Sequence, residues 1–290
     1  MTKTQQKLII VNLIWIILSA PFVMAQDLDY GTKIFGLTAI VNTYSNNTLD
    51  QGSSFFYYSD KETFLVSNRH VLYPKETMPD SIVFTLKKRN TTTGQTEWKP
   101  VTMDRKYLIE NMRLHMNKQV DVASIKVDGI FKTILESRFY RPYAISNPDS
   151  SQLNEINPEI GDDVLIIGYP RGYYDEYNKI PILKSGVIAS FFGLPFQNLP
   201  CYIVDSKLYP GSSGSIVISK HQPVIIKEGQ PAFANRKDFI LLGIYSGEPY
   251  KWGQQIETDE EISIKKEKFD LGIVWYANII DELKAITELR

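Results

Sequence analysis

The sequence predicts an all-β protein with two groups of strands and a C-terminal α-helix. Three observations predict this. Short segments rich in β-branched and aromatic residues recur along the chain, and Gly, Pro, Asn or Asp breaks separate most of them. Only the last stretch, Ala277 to Leu289, has helical spacing, with Ile279, Ile280, Leu283 and Ile286 recurring at intervals of three and four. A weakly patterned stretch, 129–160, divides the strand segments into two groups. Its Pro142, the run Asn147-Pro148-Asp149-Ser150-Ser151, and Asn157-Pro158 read as loop chemistry.

The elements follow in order. Strands are expected at Gly36 to Thr43, Ser53 to Tyr58, Thr63 to Val66, Ser81 to Leu86 and Val120 to Val127. The second group comprises Val164 to Gly168, Ile182 to Phe192, Tyr202 to Val204, Ser215 to Ser219, Phe239 to Tyr245 and Leu271 to Trp275. Many short strands with turn chemistry between them belong to a sandwich or to barrels. The charged stretch Glu257 to Lys268 reads as a solvated loop or hairpin.

At the amino terminus, Lys3 and Lys7 precede an apolar run from Leu8 to Phe22, and Val23-Met24-Ala25 follows. Positive charge, an apolar stretch and small residues make a secretory signal peptide, with cleavage expected after Ala25. The alternative is an uncleaved anchor, since the run approaches the length that spans a bilayer. Either way the protein is expected to be exported, secreted or periplasmic. The chain has 32 Lys+Arg against 33 Asp+Glu. So even a balance gives no reason to expect nucleic acid or anionic lipid as a partner. Oligomeric state is not readable.

Cys201 is the only cysteine, so no intramolecular disulfide forms. Its apolar neighbours make it a buried strand thiol. One Cys and three scattered His give no zinc set, and no metal or cofactor is expected. His115, in a basic polar loop, and His221, in a turn, read as surface residues.

Three places carry possible chemistry, in the order His, Asp, Ser. In Tyr209-Pro210-Gly211-Ser212-Ser213-Gly214-Ser215, glycines flank a serine on a tight turn. A nucleophilic serine needs an exposed hydroxyl and nearby backbone N–H groups to receive an oxyanion. Ser213 is the candidate nucleophile, with the Gly211 and Ser213 amides as oxyanion donors; a plain Ser/Gly turn into a strand is the alternative. His70 ends the apolar segment Thr63 to Val66 and its flanking residues. Imidazole accepts and returns a proton near neutral pH, although a lone histidine there is also a common structural residue. Asp121 heads a row that, on a strand, shares one face with Ala123, Ile125 and Val127. A carboxylate there needs a hydrogen-bond partner, which a histidine N–H supplies, unless it merely caps a turn.

Together these residues resemble the chymotrypsin-like serine peptidases. Leu65-Val66-Ser67-Asn68-Arg69-His70-Val71 is similar to their histidine segment, Asp121-Val122-Ala123 to their aspartate segment, and Pro210-Gly211-Ser212-Ser213-Gly214-Ser215 to their nucleophile segment. Ile160-Gly161-Asp162-Asp163-Val164, Gly168-Tyr169-Pro170 and Ser185-Gly186-Val187-Ile188-Ala189 resemble bacterial members such as the high-temperature-requirement proteases and glutamyl endopeptidases. The likeness runs from about Gly36 to the end of the chain.

The resemblance implies two six-stranded antiparallel barrels with the site in the cleft between them. The expected organisation is a signal peptide over 1–25, a first barrel over 26–128 carrying His70 and Asp121, a linker over 129–160, and a second barrel over 161–290 carrying Ser213 and the terminal helix. The implied activity is hydrolysis of a peptide or protein substrate by a Ser213–His70–Asp121 triad through an acyl-enzyme. A trypsin-like scaffold that binds without catalysis, or only after a partner activates it, is the alternative; an ester substrate is a third. The strand Leu241 to Gly247 resembles the one that pairs with substrate, which makes Tyr245, Ser246 and Gly247 substrate-binding candidates. Glutamyl endopeptidases carry a histidine where this chain has Tyr245, so that likeness gives no support to an acidic preference. Lys207, near the expected pocket base, would favour an acidic residue, so the two signals oppose each other and no primary specificity is assigned from sequence.

Overall fold

The structure is a computed structural model that describes residues 30–46, 48–89, 96–134, 142–220, 224–227, 230–233, 239–248, 251–258, 261–267 and 270–288. The expected signal peptide and His221 lie outside the described residues. A helix, Tyr30–Leu37, opens the described chain. It takes in Gly36 and Leu37, which sequence patterning assigned to a strand. The helix spends Phe35 and Leu37 on burial.

The first half of the chain contributes β1 (Thr38–Ser45), β2 (Thr48–Ser59), β3 (Glu62–Ser67), β4 (Ser81–Arg89), β5 (Thr96–Asp104), β6 (Met112–Leu114) and β7 (Ala123–Lys126), all in one first sheet. The second half adds β8 (Asp163–Gly168), β9 (Ile182–Ile188), β10 (Cys201–Asp205), β11 (Ile216–Ser219), β12 (Val224–Lys227) and β13 (Gln230–Phe233). It continues with β14 (Leu241–Gly247), β15 (Lys251–Thr258), β16 (Glu261–Glu267) and β17 (Leu271–Tyr276), and β18 (Lys284–Ala285) ends the series. Strands β8, β9, β10, β11, β14 and β17 close a six-stranded barrel, while β12–β13 and β15–β16 are separate hairpins.

The first sheet departs from the expected six-stranded barrel. It has eight strands in the order β18-β6-β7-β3-β2-β1-β4-β5, and its ladder is open between β5 and β18. It still wraps one core, in which Val41, Phe56, Leu65, Phe84, Met103 and Ile125 come from six different strands. The barrel has its own interior around Val164, Ile166, Tyr202, Val204, Val217 and Val274. A third cluster, including Phe55, Val66, Val122, Ile167, Ile216 and Trp275, joins the two halves. Strand alternation explains this. On β2 Phe56 faces the first core while Phe55 and Tyr57 face the other half.

The C-terminal α-helix expected from spacing does not form. Residues Ala277–Glu282 and Ile286–Glu288 are 3₁₀ turns, and β18 lies between them, pairing Lys284 with Leu114 and Ala285 with Arg113. The reason is that the apolar residues serve two cores. Ile279, Ile280 and Leu283 pack into the inter-half cluster, whereas Ile286 enters the first core. One straight helix would present them as a single stripe to a single core.

Stretch 129–160 is more structured than its composition implied. The helix Asp128–Ile134 covers its start, and Ser150–Ile156 forms a second helix. The Asp149 side chain accepts from the Gln152 amide at 2.9 Å, and Gln152 accepts from the Asp149 amide at 3.0 Å. This reciprocal pair is a capping box, and it was legible in Asp-x-x-Gln. Strand β5 was missed because Trp98 and its neighbours are exposed and lack clean alternation.

Candidate active site

His70 lies in a single helical turn, Arg69–Leu72, that continues directly from β3. The turn is pinned from both sides. Asn68 Nδ2 donates to Asp121 O at 2.7 Å, and the Arg69 guanidinium grips the Glu76 carboxylate through two bonds of 2.7 and 2.5 Å. That guanidinium holds the Glu76 carboxyl below its ordinary range. Asp121 stands in the loop before β7 rather than within the strand, because β7 begins only at Ala123. Its neighbours Val120 and Val122 are fully buried and fix its position.

Asp121 is oriented by three donors. The His70 amide donates to Oδ1 at 2.9 Å, and His70 Nδ1 donates to Oδ2 at 2.6 Å. Ser246 Oγ donates to the same Oδ2 at 2.6 Å. With Nδ1–H committed to the carboxylate, Nε2 is left as the acceptor of the imidazole, the tautomer a general base requires. The role of Ser246 as a support for Asp121 was not legible in sequence, because 125 residues separate the two.

The nucleophile turn follows from its glycines. Gly211 has φ +87°, and a Cβ there would lie 2.8 Å from Arg171 N and 3.0 Å from Tyr169 O. Gly214 has φ +82°, and a Cβ there would lie 2.1 Å from Ser53 O and 2.2 Å from Ser67 Oγ. No other residue type fits either place without displacing backbone. Of the three clustered serines, Ser212 and Ser215 are each 1 % exposed, while Ser213 is half-buried and lines the cleft.

The turn is moored to the first sheet by Ser53 on β2. Ser53 N donates to Ser213 O at 2.8 Å, and Ser53 Oγ donates to Gly211 O at 2.9 Å while accepting from Tyr169 N at 2.8 Å. Pro210 O accepts from Arg171 N at 2.6 Å. In a planar trans peptide this turns the Gly211 N–H to the opposite side. The Gly211 and Ser213 amides donate to no acceptor among the described residues. The Ser213 hydroxyl itself donates to Ser246 O at 3.0 Å.

His70, Asp121, Ser213, Tyr245, Ser246 and Gly247 thus border one cleft of about 600 Å³. Lys207 does not border it; its ammonium lies 3.7 Å from the Asp270 carboxylate. His115, expected at the surface, is half-buried, with Nε2 3.4 Å from Glu282. Cys201 is buried as expected, and desolvation pushes its thiol up to about 11. Among the described residues no group of three His, Cys, Asp or Glu is placed to hold a metal ion.

A closed barrel beside a curved sheet, with a serine turn on one facing a His–Asp pair on the other, defines the chymotrypsin-like class of serine peptidases. The trypsin-like peptidase domain model matches residues 52–225, and the chain belongs to that family. Solved structures similar to it include the HtrA-type protease AlgW with a tripeptide, at 16 % identity and TM-score 0.43, covering 86 % of this chain and 59 % of that one. A serine endoprotease from Yersinia pestis aligns at 15 % identity and TM-score 0.44, over 89 % of this chain and 64 % of its own. An inactivated protease paralogue of the scabies mite aligns at 14 % identity and TM-score 0.48, over 87 % and 95 %. The chain therefore spans about six-tenths of the length of the first two. No curated protein matches the chain.

Proposed function

We propose that the protein is a serine endopeptidase working through an acyl-enzyme. Ser213 Oγ attacks the peptide carbonyl while His70 Nε2 takes its proton, and the same imidazole then protonates the leaving amine. Asp121 holds the tautomer and stabilises the imidazolium. The Gly211 and Ser213 amides receive the oxyanion, and water regenerates the serine in a second round. The observation that carries this reading is the Asp121 carboxylate bound to both His70 nitrogen donors at 2.6 and 2.9 Å, in the cleft that Ser213 borders. A fluorophosphonate labels such a serine covalently, and the mass of the intact protein reads the adduct. Labelling of wild type and of Ser212→Ala, but not of Ser213→Ala, is the expected result. Failure of folded wild type to label would remove the reading.

One observation favours a partner- or substrate-activated variant of this reading over an always-ready site. Ser213 Oγ is bonded to Ser246 O, so attack requires the hydroxyl to turn toward His70. Labelling that accelerates when a peptide occupies the cleft supports that variant; a single rate with and without peptide discards it. We also propose export after cleavage behind Ala25, which amino-terminal sequencing of the protein recovered outside the cytoplasm tests directly. A first residue other than Gln26 would refute that cleavage site.

A further inference from the structure

The substrate strand has a defined place to lie. Strand β14 runs past its last pairing with β11, Ile216 opposite Ile244, so Ser246 and Gly247 carry an edge that β11 no longer covers. This edge faces the Ser213 turn, since Ser246 O accepts from Ser213 Oγ. An extended peptide added there would bring one side chain into the cleft beside the nucleophile.

What that side chain meets is apolar. Leu208, Tyr245 and Trp275, each no more than 4 % exposed, form the buried floor, and the half-exposed Leu199 and Ile273 form its walls. Gly247 pairs opposite Ile273 across a bulge, and a Cβ built at Gly247 meets nothing within 4 Å. The missing side chain therefore leaves open the space above Ile273. Among the described residues no lysine or arginine borders the cleft, and its carboxylates are Asp121 and Glu248. Asp121 is committed to His70 and Ser246. A carboxylate entering there would lose water without gaining a cation, which is costly. Lys207, the residue that would have favoured an acidic substrate, is turned away toward Asp270.

We propose that the cleft selects a substrate with a bulky apolar side chain, of leucine or phenylalanine type, on the acyl side of the scissile bond, and that Gly247 is the residue that admits it. The inference rests on the peptidase reading for its biological meaning, but cleft occupancy is measurable without catalysis. The experiment uses purified Ser213→Ala protein and acetylated tripeptide acids ending in Leu, Phe, Ala, Lys or Glu. Their dissociation constants are measured by calorimetry. Wild type is labelled with fluorophosphonate in parallel.

The Leu and Phe peptides are expected to bind at least about tenfold more tightly than the Ala, Lys and Glu peptides, the scale on which apolar pockets discriminate. Gly247→Leu in the same background is expected to erase that ratio, with folding checked by its thermal transition. Equal affinities, or preference for Lys or Glu, overturns the proposal. An apolar preference in Ser213→Ala, with no labelling of wild type, supports the cleft assignment and sinks the catalytic reading alone.

Discussion

Ser53→Ala is the most informative single change outside the His–Asp–Ser set. The Ser53 hydroxyl, fully buried, accepts from the Tyr169 amide at 2.8 Å and donates to Gly211 O at 2.9 Å. Removing it strands one backbone donor and one backbone acceptor. Each buried orphan costs about 1–3 kcal/mol. Tyr169 is 1 % exposed and bears that cost in full, while Gly211 is half-buried and recovers part of it from water. The expected loss is therefore about 2–4 kcal/mol, read as a lowered urea midpoint with an unchanged slope. The same bond fixes the peptide that follows Gly211, so the turn that carries the proposed oxyanion amides of Gly211 and Ser213 loses its mooring. Loss of one such donor lowers kcat by about 10²–10³-fold. Because the main-chain bond from Ser53 N to Ser213 O survives, we expect a smaller fall, about tenfold in kcat with little change in KM. A variant within about 0.5 kcal/mol of wild type, labelling and turning over at the wild-type rate, would refute the mooring argument.

Other changes separate the roles further. Asp121→Asn leaves the loop in place but offers His70 Nδ1 the wrong partner, and a fall in kcat of about 10⁴-fold is expected on a peptide substrate. Ser212→Ala should leave stability within about 0.5 kcal/mol in a denaturation curve, because the buried Ser212 Oγ has no hydrogen-bond partner among the described residues. Lys87, buried against Phe35 and Tyr169, has its ammonium pushed down to about 7 by desolvation. Its folded state therefore binds fewer protons than the unfolded chain between pH 7 and the ordinary lysine range, so stability rises with pH across that window. Lys87→Met loses the 2.7 Å bond that Lys87 donates to the buried Tyr169 hydroxyl and also the titrating group, so its urea midpoint should gain less than that of wild type between pH 7 and 9. Equal gains would show that Lys87 does not titrate there.

Backbone geometry was legible in sequence where it is local. Glycines around Ser213 announced a turn that needs positive φ at Gly211 and Gly214, and the structure supplies the steric reason at both. The strand assignments held for short runs rich in β-branched and aromatic residues, such as those within β2 and β8, which are buried almost continuously, and failed where one segment serves two cores. Residues 277–288 look helical in one dimension only because their apolar residues are counted together; Ile279 and Ile286 in fact face different neighbours. Polar mooring was the least legible, since Ser53 and Ser246 are ordinary strand serines until the turn and the carboxylate arrive 158 and 125 residues away.

That difference has a physical basis and bears on how the site works. A buried serine hydroxyl stabilises little by itself, and it becomes costly to lose only once both partners are in place. Ser53, from the first sheet, holds the Gly211 and Ser213 carbonyls of the barrel. Ser246, from the barrel, holds the Asp121 carboxylate of the first sheet. Each half thus orients the reactive groups of the other. A shift of one half against the other would disturb the Gly211 and Ser213 amides and the His70–Asp121 pair at the same time. Paired variants should accordingly be non-additive: once Ser53→Ala has loosened the turn, adding Ser246→Ala should cost less in kcat than it costs alone. A double-mutant cycle measures this, and strict additivity would mean that the two moorings act on separate steps.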